Sequence, residues 1–294
     1  MISHNVDSAL GSLPPIRRAR LWRLYAQDGR RFLDLWQDGG RGILGARHAG
    51  LGNAIKAALD RGLDRPLPSV LEPRLGKLLL ERFPPAKAVR LYVSEEAALA
   101  ALARASGIRA GSDDIACGIA DSSLVRDPTR RKGAEKNAPA LLLRPFASFI
   151  SEKDTISGSW TGETRFALPL LPLARGLAPA ALLFADAAGA EAAGPGDLVP
   201  PLFLRAAIDA LFAQDRYLAS VGEAHWRRAD RRLKGLFERR GPWLLPLVAA
   251  ADYPRLFEVA LSKGILLSPD FARPSLLPGD FDDGELAPLA ALSP

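Results

Sequence analysis

Apolar residues follow two rhythms along this chain. Leu21-Trp22-Arg23-Leu24-Tyr25-Ala26 and Arg31-Phe32-Leu33-Asp34-Leu35-Trp36 keep the period of two that gives a strand one buried face, and Asp28-Gly29 lies between them. An Asp-Gly pair accepts the backbone of a tight turn, so a β-hairpin is predicted over 21–36. Leu51, Ile55, Ala58 and Leu59 then fall on one face of a helix over 50–62. Leu75, Leu78, Leu79 and Phe83 do the same for a helix over 71–83, which Pro84-Pro85 stops. A short strand is expected at 89–93. Ser94 is placed as the N-cap of an Ala-rich helix to about Ser106, with Glu95 and Glu96 in its first turn.

Further along, 107–139 is polar, with a basic stretch from Arg126 to Lys136, and reads as a surface loop or insertion. Strands are expected at 140–150, 180–185, 243–249 and 265–267. Residues 187–201 look like an Ala/Gly/Pro-rich connection. Helices are expected at 201–212, 217–240, 253–263 and 283–292, the longest with Val221, Trp226, Leu233, Leu236 and Phe237 inward. Alternating strands and helices give an α/β or α+β class.

Composition narrows the possibilities without choosing among them. The chain has 294 residues, 48% hydrophobic and 24% charged, the balance of a folded protein in one large or two small domains. No apolar run reaches the length of a membrane-spanning helix. Met1 to Asp7 lack the basic start and apolar core of a signal peptide. The single cysteine, Cys117, can form neither an internal disulfide nor a Cys-rich metal site, so a cytoplasmic setting is expected. His4, His48 and His225 are too far apart to read as metal ligands, and no metal is expected. The net charge of +6 permits an acidic partner without requiring one. Seven Arg and Lys fall within 226–240, but Asp230 and Glu238 interrupt them, so a solvated helix face is favoured over nucleic-acid binding.

Three stretches, in this order, resemble the class III aminotransferases, pyridoxal-phosphate enzymes of fold type I that include glutamate-1-semialdehyde aminomutase. Asp28-Gly29-Arg30-Arg31-Phe32-Leu33-Asp34 is similar to that family's opening hairpin, D-G-x-x-Y/F-L-D, and Gly45-Ala46-Arg47-His48 to the glycine–histidine turn after it. Val89 to Arg104 resembles the strand and helix that carry S-G-T-E-A. Gly264 to Pro269, continuing to Asp282-Asp283-Gly284-Glu285, resembles the C-terminal small domain.

The resemblance implies an α/β, reduced fold type I layout. A reduced large domain with a mostly parallel sheet would span 51–201, and an α+β small domain would be built from both chain ends, 1–50 and 202–294. It also implies a homodimer, with pairing to a full-length aminotransferase as a further option. Carried onto this chain, the family's phosphate-binding serine falls on Ser94, its Schiff-base lysine on Lys153 and a substrate-binding arginine on Arg273.

The chemistry of those positions departs from the pattern. A phosphate dianion needs neutral donors at a helix N-terminus. Here Ser94-Glu95-Glu96 stands where the family has Ser-Gly-Thr, and it puts two carboxylates there instead. Lys153 lies before Gly158 and Gly162 with only part of the family's glycine spacing, and no Asp-Glu pair in an apolar strand precedes it. The expectation is therefore an aminotransferase-like protein, more non-enzyme than enzyme, that has lost pyridoxal-phosphate catalysis and serves as a dimerising scaffold, regulator or small-ligand binder, with no cofactor. The alternatives are a residual pyridoxal 5'-phosphate-dependent aminotransferase or aminomutase using Lys153, and nucleic-acid binding through the helix 226–240.

Overall fold

A computed structural model describes residues 9–46, 48–107, 119–121, 140–145, 160 and 164–291. The chain divides into two compact units, Met1–His48 with Gln214–Pro294, and Ala49–Ala213.

The first unit opens with β1 (Ile16–Arg20), β2 (Arg23–Ala26) and β3 (Arg31–Asp34). The β2–β3 pair is the expected hairpin, and Asp28 Oδ1 accepts the Arg30 N–H at 3.0 Å to close its turn. β1 lies before the first element that the apolar rhythm predicts. Ile16-Arg17-Arg18-Ala19-Arg20 is an exposed edge strand with an irregularity between Ile16 and Arg18. Arginines and a bulge on an edge discourage pairing with other chains, and they also erase the alternation by which strands are read.

After β3 the backbone winds left-handed through Gln37 (φ 48°), Asp38 (φ 51°), Gly39 (φ 68°) and Gly40 (φ 94°). Two of these are not glycine, so the turn is held in place by its surroundings. Asp34 Oδ1 accepts the N–H groups of Trp36 (3.0 Å) and Gln37 (2.7 Å), and the Gln37 side-chain amide donates to the Leu276 carbonyl at 2.9 Å. Removal from water pushes the Asp34 carboxyl up to about 6, against the lowering effect of the two N–H groups.

In the second unit come α1 (Ala49–Asp60), α2 (Leu71–Arg82), β4 (Ala88–Tyr92), α3 (Glu95–Ser106), β5 (Ile119–Asp121), β6 (Ala140–Leu143), β7 (Phe166–Pro169), β8 (Ala180–Phe184), α4 (Ala187–Ala193) and most of α5 (Pro201–Leu218), whose last turn from Gln214 counts with the first unit. Leu75 and Leu79 of α2 are fully buried, as their spacing predicts. Leu59, placed on the inner face of α1, is instead 50% exposed. The five strands form one sheet in the order β4-β8-β7-β6-β5. β8 is antiparallel to both neighbours, and the other four run the same way. α3 and α4 cover this sheet through Ala98, Ala101, Leu102, Ala190 and Ala193, packed with Tyr92, Phe166 and Phe184. Small side chains let the helices lie close to the sheet. At Gly189 even a Cβ would meet the Phe166 ring at 2.9 Å.

Three elements here correct the sequence reading. β5 is a strand within the stretch read as a loop, β7 was missed, and α4 replaces part of the 187–201 connection. An Ala/Gly helix has no polar face to set against its apolar one, so its periodicity is silent.

The first unit resumes with α6 (Glu223–Arg227), α7 (Asp230–Leu233), β9 (Phe237–Arg240), β10 (Trp243–Pro246), α8 (Tyr253–Ser262), β11 (Ile265–Leu266), β12 (Ser275–Leu276) and α9 (Ala287–Ala290). β11 joins β3 in parallel, completing the sheet β1-β2-β3-β11, and β12-β10-β9 form a second sheet. Arg23 ties the two chain ends of this unit together, with Nε and Nη2 donating to the two Glu285 oxygens at 2.8 and 2.7 Å.

The helix expected over 217–240 does not exist as one piece. α5 ends at Leu218, two short helices follow, and 237–240 is a strand. Gly235 sits at φ 84° and Gly241 at φ 54°, backbone that ends a helix and turns β9 back onto β10. Trp226, Leu233, Leu236 and Phe237 are nonetheless buried. The basic residues of 226–240 therefore do not form one helical stripe. The closing helix is also shorter than 283–292, covering only Ala287–Ala290.

Candidate functional site

Open α/β sheets bind ligands beyond the carboxyl ends of their parallel strands, where loops and helix N-termini meet. In the second unit that edge is where β4, β5, β6 and β7 end. β4 leads through Val93 into Ser94, which is extended (φ −148°, ψ 165°) and caps α3. Its Oγ accepts the Ala97 N–H at 3.2 Å, as the N-cap reading expects.

Two further donors of this turn, the Val93 and Glu96 N–H groups, face the chain's own carboxylates. Asp197 Oδ2 accepts the Val93 N–H at 3.1 Å, while the Asp197 N–H donates to the Leu91 carbonyl at 2.8 Å. The loop before Asp197 thus lies along β4. Glycine permits the approach, since a Cβ on Gly196 would stand 2.6 Å from the Leu91 oxygen. The Glu96 carboxyl is held below its ordinary range by its own backbone N–H, by the Ser94 hydroxyl and by Arg175. Glu95 pairs with Arg175 at 3.7 Å. Three carboxylates and one guanidinium therefore surround the turn.

A phosphate monoester carries two negative charges and needs open donors. Placed ~4–5 Å away at an effective dielectric near 20, each carboxylate would oppose a unit charge by roughly 3–4 kcal/mol, and solvent screening brings this to about 1 kcal/mol for an exposed group. The Val93–Ala97 turn does not fit a phosphate dianion. Its charges favour the N-terminus of α3 itself.

Of the residues singled out from sequence, Ser94 belongs to this turn. Arg273 lies in the other unit, between β11 and β12, where its Nε stands 3.5 Å from Asp270 Oδ2 with the side chain 39% exposed. Lys153, Cys117 and the basic stretch Arg126–Lys136 lie outside the described residues. Two residues escaped sequence reasoning. Asp197 follows Gly194-Pro195-Gly196, a turn signal that says nothing of a partner 104 residues away. Arg144, directly after β6, is only 4% exposed, and its Leu-Leu-Leu-Arg-Pro setting was read as plain strand. Among the described residues no cluster of His, Cys, Asp or Glu could hold a metal, and no helix is long and apolar enough to cross a membrane.

No protein-family model matches the chain. An uncharacterized protein of Treponema pallidum is 30% identical over 291 residues, covering 90% of this chain and 88% of its own. One of Borreliella burgdorferi is 27% identical over 290 residues, covering 94% and 89%. The glutamate-1-semialdehyde 2,1-aminomutase of Heliobacterium modesticaldum is 39% identical over 117 residues, which is 38% of this chain and 27% of the aminomutase. Among solved structures, an omega-transaminase from Sphaerobacter thermophilus superimposes with a TM-score of 0.63 at 14% identity, covering 98% of this chain and 96% of the transaminase. N-acetylornithine aminotransferase from Stenotrophomonas maltophilia does so with a TM-score of 0.58 at 17% identity, covering 99% and 98%. The reduced fold type I layout expected from the sequence is thus the fold of this chain.

Proposed function

We propose that this chain, which belongs to one family with the Treponema pallidum protein and is class III aminotransferase-like, no longer holds pyridoxal phosphate as a Schiff base and acts instead as a dimerising scaffold, regulator or small-ligand binder. The observation that carries this reading is the Asp197 carboxylate on the Val93 N–H, with Glu95 and Glu96 beside it. A cofactor tail would have to displace Asp197 and then sit among like charges. The fold is kept while the turn that would grip a dianion is closed from within.

Dimerisation is supported by exposed apolar side chains at the end of α1 and in the segment that leads to α2. Leu59, Leu67 and Val70 are 50%, 44% and 85% exposed. Large apolar groups gathered in so short a segment favour a covering surface. The occupant proposed is a second copy of the chain. Sedimentation velocity at micromolar concentration is expected to give twice the 31.5 kDa chain mass. Leu67→Glu with Val70→Glu is expected to return the monomer. A wild-type monomer under those conditions contradicts the scaffold reading.

A further inference from the structure

We propose that the cleft between α7 and β9 is a binding site for a small organic anion with an apolar body. The cleft has a volume of about 490 Å3 and is lined by Asp230, Arg231, Leu233, Lys234, Phe237 and Arg239. That volume lies within the range of small-molecule sites.

Its charged groups divide into two sets. Arg239 is locked: it donates to both Asp230 oxygens, to both Glu223 oxygens at 2.7 and 3.0 Å, and to the Gly241 carbonyl at 2.8 Å. With only 10% of its side chain exposed, it fixes Asp230 and leaves that carboxylate committed. Arg231 and Lys234 are exposed, and among the described residues neither has an ion-pair or hydrogen-bond partner. Arg231 lies within α7 and Lys234 caps its C-terminus, and both line the same cleft.

Beneath them the floor is apolar, with Leu233 1% and Phe237 5% exposed. The wider segment 223–240 carries seven Arg and Lys against Glu223, Asp230 and Glu238. That surplus of four charges draws anions toward the cleft. A ligand suited to it sets a ring or short aliphatic body over Leu233 and Phe237 and a phosphate, sulfonate or carboxylate between Arg231 and Lys234. A compact anion is favoured over a nucleic acid, because the basic residues of 226–240 form no continuous stripe along which a phosphate backbone could run. The site stands apart from the turn at Ser94 and does not depend on the loss of cofactor binding.

Calorimetric titration of the full chain with 1-naphthyl phosphate tests this, with 1-naphthol and inorganic phosphate as the neutral and the non-apolar controls. The expected result is saturable one-to-one binding of 1-naphthyl phosphate, about tenfold or more tighter than either control. Arg231→Glu with Lys234→Glu is expected to weaken it by about tenfold or more, while Arg227→Glu, outside the cleft, changes it by less than about twofold. If the double reversal fails to fold, Arg231→Gln with Lys234→Gln serves in its place and is expected to weaken binding in the same direction. Absence of saturable binding, equal binding of 1-naphthol, or undiminished binding by the folded double variant overturns the proposal.

Discussion

Replacing Glu95 with Gly, Glu96 with Thr and Asp197 with Ala together is expected to raise the affinity for inorganic phosphate by roughly two orders of magnitude. The substitutions remove three like charges, each worth about 1 kcal/mol after screening, or ~3 kcal/mol in all. They also release the Val93 N–H that Asp197 occupies and the backbone N–H that faces the Glu96 carboxylate. Ser94 stays in place as the cap of α3. The variant should melt somewhat lower than wild type, because carboxylates in the first turn favour the helix by about 0.3–1 kcal/mol each. Titration calorimetry with phosphate reads the gain directly. Asp197→Ala alone should yield about a third of the free-energy change. If the triple variant binds phosphate no better than wild type, the carboxylates are not what closes this turn.

Stability is expected to fall as the pH rises from about 4 through about 6, by roughly 2–3 kcal/mol, through Asp34. Its carboxyl is raised in the folded chain from 3.8 to about 6, so between those values the folded state holds a proton that the unfolded state has released. Unfolding then releases a proton, and raising the pH favours unfolding. Asp34→Asn keeps an oxygen for the Trp36 and Gln37 N–H groups but cannot ionise. Its urea-unfolding free energy is expected to match wild type near pH 4 and to exceed it near pH 7 by about 2 kcal/mol. A lower neutral-pH stability in the variant would mean instead that the ionised carboxylate is the better partner for the left-handed turn at Gln37–Gly40.

What the sequence disclosed depended on whether the governing contact was local. The β2–β3 hairpin was readable because Asp28 and Gly29 build their own turn, with Gly29 at φ 88°. Ser94 was readable as a cap because its partner, Ala97, is three residues on. In the segment 217–240, the inward positions Trp226, Leu233, Leu236 and Phe237 were identified correctly and the element was not. Apolar spacing there fits a continuous helix as well as two short helices and a strand, and the choice falls to Gly235. β1 was hidden because an edge strand of arginines buries neither face. α4 was hidden because alanine and glycine give no contrast between faces. The acidic character of the candidate site was visible in Glu95-Glu96. Its completion by Asp197 was not, because a contact between β4 and a loop 104 residues later exists only once the sheet is built.

The account stands on the closed turn at the head of α3, and intact-protein mass spectrometry after incubation with pyridoxal 5'-phosphate and borohydride reduction tests it most directly. Millimolar cofactor and brief exposure, with Lys153→Ala in parallel, distinguish a built site from random surface lysines. The account predicts that wild type and Lys153→Ala carry the same slight, scattered labelling. Stoichiometric labelling of wild type at one lysine, absent in Lys153→Ala, would contradict it and restore the chain to catalysis.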